Sequence, residues 1–128
     1  MRIRLAAFAA LGAATSLGCA PMAAPPALTH GLSADMLSAM RADAARRTGA
    51  AADAVRVHSV QPVTWPDASI GCPQPGMAYA QVLVPGWLVR LEAGGRPFGY
   101  HAARAGRWVM CPAEQAQPPV ATQADPRV

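Results

Sequence analysis

The sequence predicts an α+β fold: one N-terminal helix packed on a short antiparallel meander sheet of about four to five strands, with one disulfide. Three observations predict it. A capped segment with apolar residues at helical spacing comes first. Strand-length runs of β-formers follow, separated by Pro/Gly turns. A pair of cysteines is left over once a third is assigned to export. One helix ahead of several strands places that helix on one face of a curved sheet.

The chain has 128 residues, enough for one domain. Residues 1–19 read as a secretory signal. Arg2 and Arg4 give the positive start, and Leu5 to Leu17 is an apolar run of about 13 residues, too short to span a bilayer. Ser16-Leu17-Gly18-Cys19 resembles the lipobox of bacterial lipoproteins, in which the cysteine becomes the lipidated first residue. Ser16 departs from the leucine usual in that pattern. The competing reading is ordinary cleavage after a small residue, which Pro21 and Pro25 disfavour. Ala20 resembles the outer-membrane default, so the expected address is the periplasmic side of the outer membrane, or otherwise the periplasm or exterior.

The formal net charge is +4, and removal of Arg2 and Arg4 leaves too little positive charge to argue for nucleic acid. The expected partners are the membrane, through the N-terminal lipid, and an envelope protein or peptide. No cofactor and no metal is expected.

Residues 20–32 carry prolines and no period, and read as a tether reaching about 40 Å when extended. The single domain is expected over 33–112. Ser33 is a suitable N-cap, Asp35 suits the first turn, Arg46 and Arg47 the last, and Gly49 a left-handed stop. A helix over 34–48 follows, with Met36, Leu37, Met40 and Ala44 on its apolar face. Residues 54–64 alternate as a strand, with Val55, Val57 and Val60 inward and Arg56 and His58 outward, disturbed near Pro62.

Trp65-Pro66-Asp67-Ala68-Ser69-Ile70-Gly71-Cys72-Pro73-Gln74-Pro75-Gly76 admits neither helix nor central strand and reads as a rigid loop. A second strand is expected over 77–84, a turn at Pro85-Gly86, a third strand over 87–92, a hairpin at 93–96, a fourth strand over 98–102 and a last one over 107–111. Residues 113–128 are expected to be disordered.

Lipidation of Cys19 leaves Cys72 and Cys111 as an even pair in an oxidising compartment. Bridging them closes a 39-residue loop. The alternatives are two free thiols or a link between chains.

The loop, together with Tyr79, Gln81, Pro85-Gly86, Tyr100-His101 and Cys111, resembles a group of small uncharacterised bacterial envelope proteins. These share a W-P-D-x-S-[LI]-G-C-P-x-P-G loop followed by Y-x-Q, a P-G turn, Y-H and a late cysteine. The resemblance covers about residues 60–112. It departs at Ile70 (usually leucine) and at Phe98 and Trp87, where tyrosine is common. It implies an exported or lipid-anchored domain with its two cysteines paired, and no activity.

Four kinds of chemistry compete for this region. Ser69, His101 and Asp67 have the residue types of a hydrolytic triad, but Ser69 lacks a Gly-x-Ser-x-Gly elbow. An Asp and a Ser two apart in such a loop suit turn capping instead. Asp67, His101 and a cysteine as metal ligands lack the usual paired spacing. Cys72 near His101 as a reactive thiol competes with the disulfide. The favoured expectation is a non-enzymatic binding or interaction module, with Trp65, Asp67, Ser69, Tyr79, Gln81, Tyr100 and His101 near its surface and Trp108 on the outer face of the last strand. Trp65 itself suits a plug beneath the loop. The alternative is a small hydrolase or a periplasmic protease inhibitor using residues 65–76.

Overall fold

A computed structural model describes residue 18 and residues 29–121. The expected signal cleavage and the lipidation at Cys19 fall outside the described residues.

The chain forms helix α1 (Ala34–Thr48), a short 3-10 turn (Ala52–Ala54) and strands β1 (Arg56–Trp65), β2 (Val84–Ala93), β3 (Arg96–Ala103) and β4 (Trp108–Cys111). The strands form one antiparallel sheet in the order β1-β2-β3-β4. The predicted α+β class therefore holds, with four strands and a Cys72–Cys111 disulfide.

Helix α1 starts and stops where its caps dictate. The Ser33 hydroxyl accepts a bond from the Met36 amide at 3.1 Å, and Gly49, at φ 75°, donates to the Ala45 carbonyl at 2.8 Å. Met40 and Ala44 are buried against the sheet, with Met36 and Leu37 at the margin.

Strand alternation sends Trp87, Val89 and Leu91 of β2 and Phe98, Tyr100 and Ala102 of β3 toward the helix. Leu88, Val109 and Ala103 go to the opposite face, where Trp65 and Ile70 form a second apolar cluster with them. On β1, Val57 and Val60 both join the helix-side core although they are an odd number of residues apart. A bulge between Val57 and Ser59 absorbs the extra residue, His58. The irregularity thus lies at His58 rather than at Pro62. Pro62 pairs opposite Trp87 in a strand that has an open edge for its missing donor.

Three boundaries differ from expectation. Residues 77–83 form no strand and are tied to the rest of the loop by backbone bonds from Ala68 N–H to Ala80 C=O at 3.0 Å and from Met77 N–H to Gln74 C=O at 3.2 Å. The position beside β1 is taken by β2, which starts at Val84 opposite Trp65. Pro85-Gly86 is accordingly part of β2 and not a turn. Gly86 is required there because a β-carbon would collide with the Ala102 carbonyl of β3.

The segment after β4 is not free through residue 121. Pro112 C=O accepts from the Gln115 and Ala116 amides, Gln117 N–H donates to Gly71 C=O at 2.8 Å, and Val120 N–H donates to Thr64 C=O at 2.8 Å. It crosses the face opposite the helix, from β4 to the outer edge of β1. Residues 122–128 fall outside the described residues. At the other end the domain begins before Ser33: Leu32 is buried, its amide bonds Thr29 C=O, and His30 C=O accepts the Trp87 indole N–H at 3.0 Å.

A polar contact ties helix to sheet. The Tyr100 hydroxyl donates to Asp43 Oδ2 at 2.8 Å, and Arg47 Nε donates to the same oxygen at 2.6 Å. Burial pushes the Asp43 carboxyl up, but the bonds from Arg47 and Tyr100 outweigh it and hold the group below its ordinary 3.8. Burial and the neighbouring carboxylate push the Tyr100 hydroxyl well above its ordinary value. The Asp43 contribution to stability is therefore present above pH 3.8 and lost as pH falls through the lower folded value. Tyr100→Phe is expected to cost about 1–2 kcal/mol in urea denaturation at pH 7. The loss relative to wild type should shrink as Asp43 becomes protonated.

Candidate functional site

The loop of residues 66–83 and the strap of residues 112–121 cover the sheet face opposite α1. Trp65 organises that face. It is fully buried, its indole N–H donates to Ala102 C=O at 3.0 Å, and its ring stacks on His101 with centroids 4.4 Å apart and planes 14° apart. His101 Nδ1 and Ile70 C=O lie 2.7 Å apart. Since a carbonyl only accepts, Nδ1 carries the proton. Ile70 takes φ 50°, uncommon for a β-branched residue, and Gly71 follows at φ 72°. A β-carbon on Gly71 would meet the Trp65 ring at 2.5 Å, so only glycine lets the loop lie this close. The disulfide at Cys72 and the bond to His101 hold the turn in place.

The loop is pinned elsewhere as well. The Ser69 amide donates to Asp67 Oδ1 at 2.8 Å, the capping role expected of an Asp in such a turn. The Arg107 guanidinium donates to Ala68 C=O at 2.7 Å. The Tyr79 hydroxyl accepts from the Gln74 amide at 2.9 Å, and Gln81 Nε2 donates to Tyr79 C=O at 3.3 Å.

This geometry corrects the expected surface. Trp65, Ser69, Tyr100 and His101 are interior; Asp67 and Tyr79 are half-buried; Gln81 is exposed. Trp108 is half-buried on the helix side, tilted against Tyr100 at 5.8 Å, and not on the outer face. The plug role of Trp65 holds.

The triad does not form. Ser69 Oγ is buried without a hydrogen-bond partner among the described residues, so no base reaches it. The His101 Nδ1–H is spent on Ile70. Cys72 and Cys111 are joined in the disulfide, so neither serves as a reactive thiol or a sulfur ligand. Among the described residues no three His, Cys, Asp or Glu side chains converge to hold a metal ion.

Burial disfavours the His101 imidazolium; the Ile70 carbonyl offsets this in part, and nearby Arg90 adds to it, leaving the pKa below the ordinary 6.5. The unfolded chain then binds a proton more readily than the folded one. Stability is full above about pH 6.5 and falls as pH drops toward the folded value. His101→Phe should flatten this part of the stability–pH curve, measured as urea midpoints between pH 7.5 and 5. An unchanged slope would contradict the assignment.

Two surface features beside the loop and strap are accessible. Met77, Val82 and Leu83 are exposed by 63%, 55% and 68%, and all three lie in the segment between the loop turn and β2. The second is a groove of about 980 Å³ between the strap and the β2–β3 hairpin, with Leu88, Arg90 and His101 on its floor and Pro118 and Pro119 on its wall. It holds Arg90 and Arg96 but also Glu92 and Glu114, so it favours neither sign of ligand. A strand over 77–84, as the sequence predicts, would pair these residues and hide the exposure of Met77, Val82 and Leu83. The Pro75-Gly76 break before them was the available signal.

Residues 37–111 match the model of a family described as a domain of unknown function (DUF8738). No curated protein and no solved structure matches the chain.

Proposed function

The chain belongs to the DUF8738 family, a domain of unknown function that takes in more than half of it, and we propose that it is a non-enzymatic binding module of the bacterial cell envelope. In this proposal the N-terminal signal is removed, Cys19 carries the lipid, and the domain faces the periplasm. The observation that carries the binding role is the clustering of Met77, Val82 and Leu83, each more than half exposed, on one short segment beside the stapled loop. Solvent-facing apolar side chains gathered on a fixed backbone suit a protein or peptide partner. The underside of that segment is fixed by the Ala68–Ala80 bond and the Tyr79–Gln74 bond, so little ordering is needed on binding. The interior placement of Ser69 and His101 speaks against a hydrolase built on them. A loop packed on Trp65, rather than protruding, is the wrong shape for a protease inhibitor.

A photo-crosslinking residue at Leu83, activated in intact cells, tests this. A discrete adduct is expected, lost when Met77 and Val82 are both changed to Ser. Adducts that are absent, or unchanged in the double variant, would refute the site. Cys19→Ser should abolish palmitate labelling; equal label in both proteins would refute the anchor.

A further inference from the structure

We propose that the groove between α1 and the outer edge of β1 binds a small amphiphile with a single anionic head. This groove is separate from the apolar segment and has a volume of about 590 Å³, within the range of small-ligand pockets. Its apolar lining comes from Leu37 of α1 and from Val55, Val57 and Val60. Its polar lining is cationic or neutral: Arg41 from the helix, Arg56 and His58 from the strand, and His30 at the entry, with no Asp or Glu.

Arg41 carries the argument. Its Nε is buried, yet no acceptor reaches it among the described residues. A guanidinium N–H removed from water without a partner is unfavourable, and guanidinium geometry suits an oxyanion. Arg56 is the weaker contributor, because Glu92 stands opposite it in the ladder. An extended peptide added to the β1 edge fits less well, because the bulge at His58 lies in the stretch of strand that lines the groove.

The chain's own N-terminal residues 1–28 contain no acid and cannot supply the head. The C-terminal residues 122–128 contain Asp125 and are the internal competitor.

The probe is decanoate, titrated below its micelle concentration into the disulfide-bonded protein and followed by nitrogen–proton NMR. Saturable shifts are expected at the Arg41 Nε–H and at the Val57 and Val60 amides. Decyl phosphate should bind the same residues, whereas decyltrimethylammonium and acetate should bind at least tenfold more weakly. Arg41→Gln should weaken decanoate at least tenfold with the rest of the spectrum unchanged, and Arg41→Lys should weaken it less. Equal binding of the cationic analogue, or an unaffected Arg41→Gln, would overturn the proposal. So would binding seen only with phosphatidylglycerol vesicles and not with free decanoate, which would make the groove a bilayer contact. Asp125→Asn should leave the affinity unchanged; a rise would show the chain's own tail to be the occupant and refute a separate ligand.

Discussion

Trp65→Ala is expected to cost about 3–5 kcal/mol, the range for removing a buried large aromatic side chain. Three losses combine. The fully buried ring leaves a cavity among Ile70, Leu88 and Ala103. The Ala102 carbonyl loses the indole N–H, and His101 loses the ring it stacks on. Small domains are stable by about 5–15 kcal/mol, so the variant should sit close to its unfolding threshold at 37 °C. Trp65→Phe keeps most of the packing and removes the hydrogen bond, for an expected loss of about 1–2 kcal/mol. Urea denaturation followed by far-UV circular dichroism separates the two. A Trp65→Ala protein within 1 kcal/mol of wild type on the order of a surface change would show that the second cluster contributes little.

The second large effect is expected from the disulfide. On the chain-entropy account, cross-linking over a separation of 39 residues stabilises by about 3–4 kcal/mol. Replacing both Cys72 and Cys111 by Ser avoids a stray thiol and should reproduce the effect of reduction. The loss should not spread evenly. Cys72 anchors the loop and Cys111 is where the strap leaves β4. Amide exchange should therefore speed up first at the Gln117 and Val120 amides, which bond to Gly71 and Thr64, and last in α1. Combined with Trp65→Ala, the two losses should not add, because both release the same loop from the same face. Uniformly faster exchange in α1 would contradict this division.

The helix was legible because its signals are local. Ser33, Gly49 and the spacing of Met36, Met40 and Ala44 act within a few residues of one another. The hairpin at Gly94-Gly95 and the cysteine pairing were legible for similar reasons: turn chemistry in one case, compartment chemistry in the other. The covering of the second face was not. Alternation shows which residues share a face, but not whether that face meets solvent. Residue type alone predicts Ser69 and His101 at the surface, yet a loop and a strap from distant parts of the chain bury them. One local sign was present. Trp87, Leu88 and Val89 run without a polar interruption, and consecutive apolar residues mark a strand buried on both faces. The strap itself follows from topology. Once Cys111 is joined to Cys72, the chain leaving β4 starts beside the loop, and its amides find Gly71 and Thr64. Its Gln- and Pro-rich composition alone resembles a free tail.

That the Trp65–Ser69–His101 cluster is an interior joint, and not a reaction centre, can be tested at the His101 ring nitrogens. In a nitrogen-15 NMR titration the account predicts a neutral ring with the proton on Nδ1, slow exchange with water, and titration below the ordinary 6.5. A ring protonated on Nε2, titrating at or above that value and changed by Ser69→Ala, would contradict it.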